Sequence, residues 1–283
     1  RMIAAHLPAL QVVIPLLAAP LCALLRHGTT AWLIAVVANW IAFAVSIGLL
    51  LQVLEGGVIS YAMGGWAPPI GIEYRVDLIN VFVLLVVSGV GAVIIPFART
   101  GTAARFDSTN QAWFYTMYLL ALTGLLGVTI TGDAFNIFVF LEISSLASYV
   151  MIAMGRDKRA LTAAYQYLIM GTVGATFIVI GIGLLWTMTG TLNLYDLSQR
   201  IPALGDSRPI LVALAFLTVG ISLKLALFPL HMWLPNAYAY APAVTSAFLA
   251  GTATKVGIYL LLRFFFTVFG GGGFFLSTPL PEM

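Results

Sequence analysis

The sequence predicts an all-α polytopic membrane protein of about eight transmembrane helices, the seventh broken by a proline. Three observations lead there. Of the 283 residues, 61% are hydrophobic and 8% charged, whereas soluble domains carry about 25% charged residues; the mean hydropathy is +1.03. Apolar runs long enough to cross a hydrocarbon core of about 30 Å recur along the chain. The stretch from Gly220 to Arg263 places two lysines, one histidine and three prolines in otherwise bilayer-compatible sequence.

The runs are Leu7 to Leu25, Ala31 to Leu54, Val76 to Ala98, Ala112 to Thr131, Phe135 to Met154, Ala160 to Met188, Ile210 to Leu230 and Ala243 to Phe269. The first reads as a span rather than a cleaved leader, because no convincing small-residue cleavage site leads into a soluble domain and another span begins at Ala31. The connection from Gly56 to Asp77, with Gly64, Gly65, Pro68, Pro69, Glu73 and Arg75, reads as a folded extramembrane loop with hairpin character. Asn193 to Pro209 reads as a short amphipathic surface helix whose charges Asp196, Arg200, Asp206 and Arg208 form a solvated face. Six basic residues (Arg26, Arg99, Arg105, Arg156, Lys158, Arg159) on one side against five (Arg1, Arg75, Arg200, Arg208, Arg263) on the other favour both ends outside. The chain starts at Arg1 and closes on a glycine run, Gly270 to Gly273, followed by FFLSTPLPEM. That closing stretch (271–283) reads as a tail or the start of a further helix. The expected organisation is therefore 1–106 with three helices and the 56–77 loop, then 107–270 as a functional repeat, then the tail.

A lysine near the centre of a membrane helix costs about 2.5 to 3.5 kcal/mol to insert, so Lys224 and Lys255 need partners or water. Lys224 lies roughly 20 Å of helical rise beyond Pro209. Pro229 removes an amide donor and displaces the carbonyl of Leu225, so the helix is expected to break beside the lysine. Irregular backbone at membrane depth belongs where it is buried in protein or lines a wet cavity. His231 follows Lys224 by seven residues and would share its face on a continuous helix. Ala247, Gly251 and Lys255 recur every fourth residue, a stripe that lets another helix approach closely. Glu142 lies deep in the fifth span, with Ser145 and Tyr149 further along the same face. The expectation is that Glu142, Lys224 and Lys255 meet in one hydrated pocket and pass a proton, with His231 as a bridge between the lysines. The bland alternatives are a purely structural Glu142–Lys224 pair, a Lys255 that snorkels to the interface, and a His231 that satisfies backbone groups beside Trp233 and Pro235. Tyr238 and Tyr240 read as packing or interface aromatics, and Gly171 and Gly174 as close-packing positions.

Other chemistry is not encoded. Basic residues fall singly in loops and form no nucleic-acid face. Cys22 alone makes neither an internal disulfide nor a cysteine metal cluster. No GxSxG, Walker, dinucleotide or HExxH pattern occurs, so no catalytic site, metal or cofactor is expected.

Two motifs carry a family resemblance. DAFNIFVFLEISSLASYVMIA from Asp133 and LKLALFPLHMWLPNAYAYAPAVTSAFLAGTATKVGIYLLLR from Leu223 resemble the antiporter-like proton-translocating membrane subunits shared by respiratory complex I, membrane-bound hydrogenases and Mrp-type sodium/proton antiporters. The context of Lys255 and the LFPLHMWLP stretch look most like the Mrp D subunit. The resemblance implies two inverted repeats, of which the fourth to eighth helices here form one half-channel. It also implies that Glu142, Lys224, Lys255 and His231 are the relay positions, and that the partners are other subunits of a larger complex in a bacterial or archaeal cell membrane. Its cargo is protons, with sodium or potassium as candidate counter-ions. The family's WLPD is WLPN here, with Asn236 in place of the acid. Two alternatives stand beside this reading: a shortened, non-transporting structural subunit, and a proton-pumping subunit of complex I or a hydrogenase.

Overall fold

The computed structural model of the protein describes residues 2–204 and 207–270. The expectation for 271–283, and the placement of Asp206 on a surface face, lie outside the described residues. Among the described residues, eight helices are long and apolar enough to cross a membrane. After a short turn of helix, α1 (Met2–Ala5), these are α2 (Leu7–Leu25), α3 (Gly28–Gly56), α4 (Leu78–Ala103), α5 (Ser108–Ile130), α6 (Ala134–Ala153), α7 (Lys158–Thr189), α9 (Arg208–Leu225) and α11 (Ala243–Leu262, continued as a wider π-type coil over Arg263–Val268). A surface helix, α8 (Leu194–Leu204), precedes α9, and α10 (Trp233–Tyr240) lies between α9 and α11.

Sequence dictates where most of these begin. Pro8 stands in the first turn of α2, where its missing amide costs nothing. Asp77, Asp133 and Asp157 cap α4, α6 and α7 by accepting first-turn amides. Asp77 and Asn80 form a reciprocal capping box, Asp77 N donating to Asn80 Oδ1 at 2.8 Å and Asn80 N to Asp77 Oδ1 at 3.0 Å. Gly190 ends α7 in the left-handed conformation, φ 73°.

The axis of the bundle is α5: 83% of its spanning window is buried, against 39% for α2, α3 and α7. Lipid gives helices no hydrophobic reason to associate, so close packing and interhelical hydrogen bonds must hold them. Both are present. Gln11 Nε2 donates to Ser46 Oγ at 2.8 Å, and Ser46 Oγ lies 3.0 Å from Ser88 Oγ, tying α2, α3 and α4 together. A methyl on Gly220 of α9 would come 2.7 Å from the Gly174 carbonyl of α7, so these helices touch backbone to backbone. The expected small-residue stripe on α11 packs Gly251 against Val90 of α4.

The 56–77 connection is a hairpin, β1 (Ile59–Ala62) antiparallel to β2 (Glu73–Val76). Its Glu73 is 3% exposed. Glu73 accepts from Ser60 Oγ at 2.5 Å and from Asn193 Nδ2 at 2.7 Å, with Arg75 at 3.5 Å. Gly132 N bonds the Glu73 carbonyl (2.8 Å), and Ala134 N and Leu194 N bond Leu192 O and Gly132 O. Glu73 thus knots the hairpin to the α7–α8 turn through its carboxylate and to the α5–α6 turn through its backbone carbonyl. On α8, Arg200 pairs with Asp196 at 2.9 Å across an exposed face, as the charge pattern indicates.

Arg263 corrects the loop-charge count. It is buried and grips Asp77 with two bonds, 2.7 and 3.0 Å, while its Nε donates to Tyr259 Oη, which donates to Thr129 O. The guanidinium fork joins the end of α11 to the start of α4. Burial alone would raise the Asp77 carboxyl. The Arg263 bonds and charge, with the amides of Asn80 and Ile79, outweigh burial and hold it below its ordinary 3.8. A depressed folded value means the clasp stabilises fully above the ordinary carboxylate range and is lost only as pH falls through the lower folded value. Asp77→Asn should therefore lower stability at neutral pH by about 1 to 3 kcal/mol and remove this contribution to the acid-range fall in stability, as read by thermal unfolding in detergent between pH 3 and 7.

Candidate functional site

α9 ends where the sequence predicts. Ala226 turns left-handed (φ 59°), its amide bonding Leu223 O, and Leu227 N bonds Ser222 O at 2.9 Å. Pro229, two residues on, has no amide with which to resume the ladder. Lys224 is thus the penultimate residue of the helix, where free carbonyls favour a cation. The Leu223 carbonyl is taken by Trp233 Nε1 at 3.0 Å, so the start of α10 closes the break left by α9. The Trp233 ring stacks on Tyr167 of α7 at 4.0 Å, and Tyr167 meets the edge of Tyr149 of α6 at 4.6 Å. Asn236 donates to Gln166 Oε1 at 3.2 Å and further ties α10 to α7.

Against this pillar lies the charged pair. Lys224 Nζ donates to Glu142 Oε1 at 3.2 Å and to Ser145 Oγ at 2.7 Å. Glu142 and Ser145 are three residues apart on α6, so one face presents both to the ammonium. The lysine side chain is 5% exposed and the carboxylate 26%: the acid is the accessible partner, the amine the enclosed one. Removing either would leave the other's charge unpaired, which costs about 3 to 5 kcal/mol in a protein interior.

The other two expected members are not brought to this pair. His231 is half-buried in the 226–232 connection, its ring 5.5 Å from Phe228 and its Nδ1 buried with no partner; no hydrogen bond joins it to either lysine. Lys255 is exposed, its Nζ donating to Ala250 O (2.6 Å) and Thr254 Oγ1 (3.3 Å). The reason is angular. Gly257 lies on the face of α11 that packs against Leu225 of α9, and Lys255, two residues earlier, points about 200° away. It opens instead into an apolar groove of about 450 Å³ between α4 and α11, lined by Phe82, Val86, Ile258 and Leu262. The expectation of a single pocket holding three charges is thereby corrected to one ion pair and a separate lysine. Tyr167 is the site residue that sequence reasoning does not single out. Its only signal is Gly171, one turn on, where an aromatic of α6 needs room.

Eight spanning helices, one of them ending beside a lysine that pairs with a carboxylate of another span, define a polytopic membrane protein with a buried ion pair. The chain belongs to the NADH:quinone oxidoreductase/Mrp antiporter transmembrane family, whose model matches residues 131–277. It is 41% identical, over 95% of its length, to the N subunit of the NADH-quinone oxidoreductase of Desulforudis audaxviator, covering 54% of that protein. It is 32% identical, over 92% of its length, to the D subunit of the Na(+)/H(+) antiporter of Bacillus subtilis, covering 52%. Among solved structures, a chain of an archaeal membrane-bound sulfane sulfur reductase aligns over 97% of this chain and 56% of its own, with a TM-score of 0.89 and 27% identity. A chain of the Mrp complex from Dietzia sp. aligns over 95% and 50%, with a TM-score of 0.84 and 25% identity. The protein is an integral membrane protein, and the chain spans about half the length of the relatives it matches.

Trp233→Phe keeps the stack on Tyr167 but loses the bond to Leu223 O. It should cost about 1 kcal/mol, against about 3 to 5 kcal/mol for Trp233→Ala, measured by thermal unfolding of the purified protein.

Proposed function

We propose that this chain forms one half-channel of a proton-translocating, antiporter-like subunit in a multi-subunit complex of a bacterial or archaeal cell membrane, with 107–270 as the working repeat. The observation that carries the reading is the Lys224–Glu142 contact at a helix break. With Glu142 ionised, the Lys224 ammonium is stabilised. With Glu142 protonated, or drawn to a neighbouring charge, the ammonium loses its counter-ion and gives up a proton. The greater exposure of Glu142 makes it the side from which such a signal arrives. His231, with an unpartnered Nδ1, and Lys255 are the next stations. Since no side-chain bond spans the gaps, water carries the proton between them. Relatives named both for quinone oxidoreduction and for Na(+)/H(+) exchange are compatible with this half-channel. Its cargo is the proton, with sodium or potassium exchanged elsewhere in the assembly.

A second reading, a non-transporting structural subunit, is favoured by one observation: Lys255 opens into a nearly wholly apolar groove and has no bond towards Lys224. The two readings separate in proton-flux measurements on membrane vesicles carrying the full assembly. Lys224→Ala and Glu142→Ala should each lower flux at least about ten-fold and lower stability. The double variant, which removes both charges, should recover stability but not flux. Normal flux in the double variant would leave the scaffold reading standing.

A further inference from the structure

The ion pair does not account for Tyr149. The residue is 6% exposed, and its hydroxyl is buried with no hydrogen-bond partner, a costly placement that phenylalanine would avoid. The space for that hydroxyl is built in, because a methyl on Gly171 of α7 would overlap it. Ser145, one turn before Tyr149 on the same face of α6, is equally unusual. Its neighbours Ser144 and Ser148 return their hydrogens to the helix, at Leu141 O (2.9 Å) and Ser144 O (2.6 Å). Ser145 Oγ instead accepts from Lys224 Nζ, and no acceptor is bonded to its own hydrogen. Ser145 and Glu142 lie four and seven residues before Tyr149 on the same face of α6. The phenol ring is held in place by Tyr167, itself stacked on Trp233.

We propose that the Tyr149 hydroxyl, seated in the Gly171 notch, takes the hydrogen of Ser145 directly or through one water. It thereby holds Ser145 as an acceptor for the Lys224 ammonium. Tyr149 is then a positioning residue that sets how firmly Lys224 keeps its proton. A hydroxyl that donates onward is a better acceptor; without the phenol, the Ser145 hydrogen loses the acceptor seated beside it and that strengthening goes with it. The titratable groups around the hydroxyl are Glu142 from α6, Tyr167 from α7 and, beside Tyr167, Tyr238 from α10; Lys224 from α9 reaches it through Ser145 and Glu142. This inference rests on the relay reading of Glu142 and Lys224.

The test is proton flux against pH in vesicles carrying the full assembly, for Tyr149→Phe, Gly171→Ala, Ser145→Ala, Tyr149→Phe with Ser145→Ala, and Lys224→Ala. Tyr149→Phe should assemble normally, lose about three- to ten-fold in flux and shift the pH profile by about half a unit towards acid. Gly171→Ala, which displaces the phenol, should shift it the same way, whereas Tyr165→Phe on the exposed face of α7 should change neither rate nor profile. In the Ser145→Ala background Tyr149→Phe should add nothing. Additive losses, an unmoved pH profile, or failure of Tyr149→Phe to assemble would each overturn the positioning role. Full flux in Lys224→Ala would instead overturn the relay reading on which it stands.

Discussion

An ammonium cannot stand alone inside a bilayer, and most of the local architecture follows from supplying Lys224 with company. α9 stops one residue beyond it, at Leu225, so that the cation belongs to the last turn of the helix. The exposed backbone at the stop must be covered, which Trp233 does from α10. α6 must present a carboxylate and a hydroxyl one turn apart, which Glu142 and Ser145 do. α7 must be thin where the others converge, hence glycine at 171 and 174. Substitutions at any of these places act on one charge through different neighbours.

The parts legible in the sequence are those with short-range causes. Spans follow from length and hydropathy, the stop in α9 from Pro229, and the face of α6 from spacing alone. The hairpin and the α8 surface helix are equally readable, from turn residues and from alternating charge. What escapes depends on pairs far apart in the chain. Arg263 and Asp77 are 186 residues apart, and an arginine at a helix end looks like a loop charge until its partner is placed. Glu73 and Asn193 are separated by 120. The direction of Lys255 fails for another reason. The stripe containing Gly251 does mark a close helix contact, but with α4, while the contact with α9 runs through Gly257 on the other side of the same helix.

The two lysines thus occupy different environments despite lying on adjoining helices. Lys224 is enclosed and paired within this chain. Lys255 faces a groove whose walls are aliphatic and aromatic, with only Ala250 O and Thr254 as bonded neighbours. The chain covers about half the length of the two relatives compared, and Lys224 finds both of its partners within it.

The Glu73 knot gives the bundle a mechanical asymmetry. On the hairpin face, three connections are laced into one another through a single carboxylate and a handful of amide bonds, so the helix ends there cannot shift independently. On the opposite face the turns are short, and the interrupted segment from Ala226 to Pro242 leans on α7 through the Trp233 stack, the Asn236–Gln166 amide pair and the Arg159–Tyr240 contact. Motion at the interruption would be borne by that half of the molecule while the laced end stays still, as a door swings on a fixed jamb.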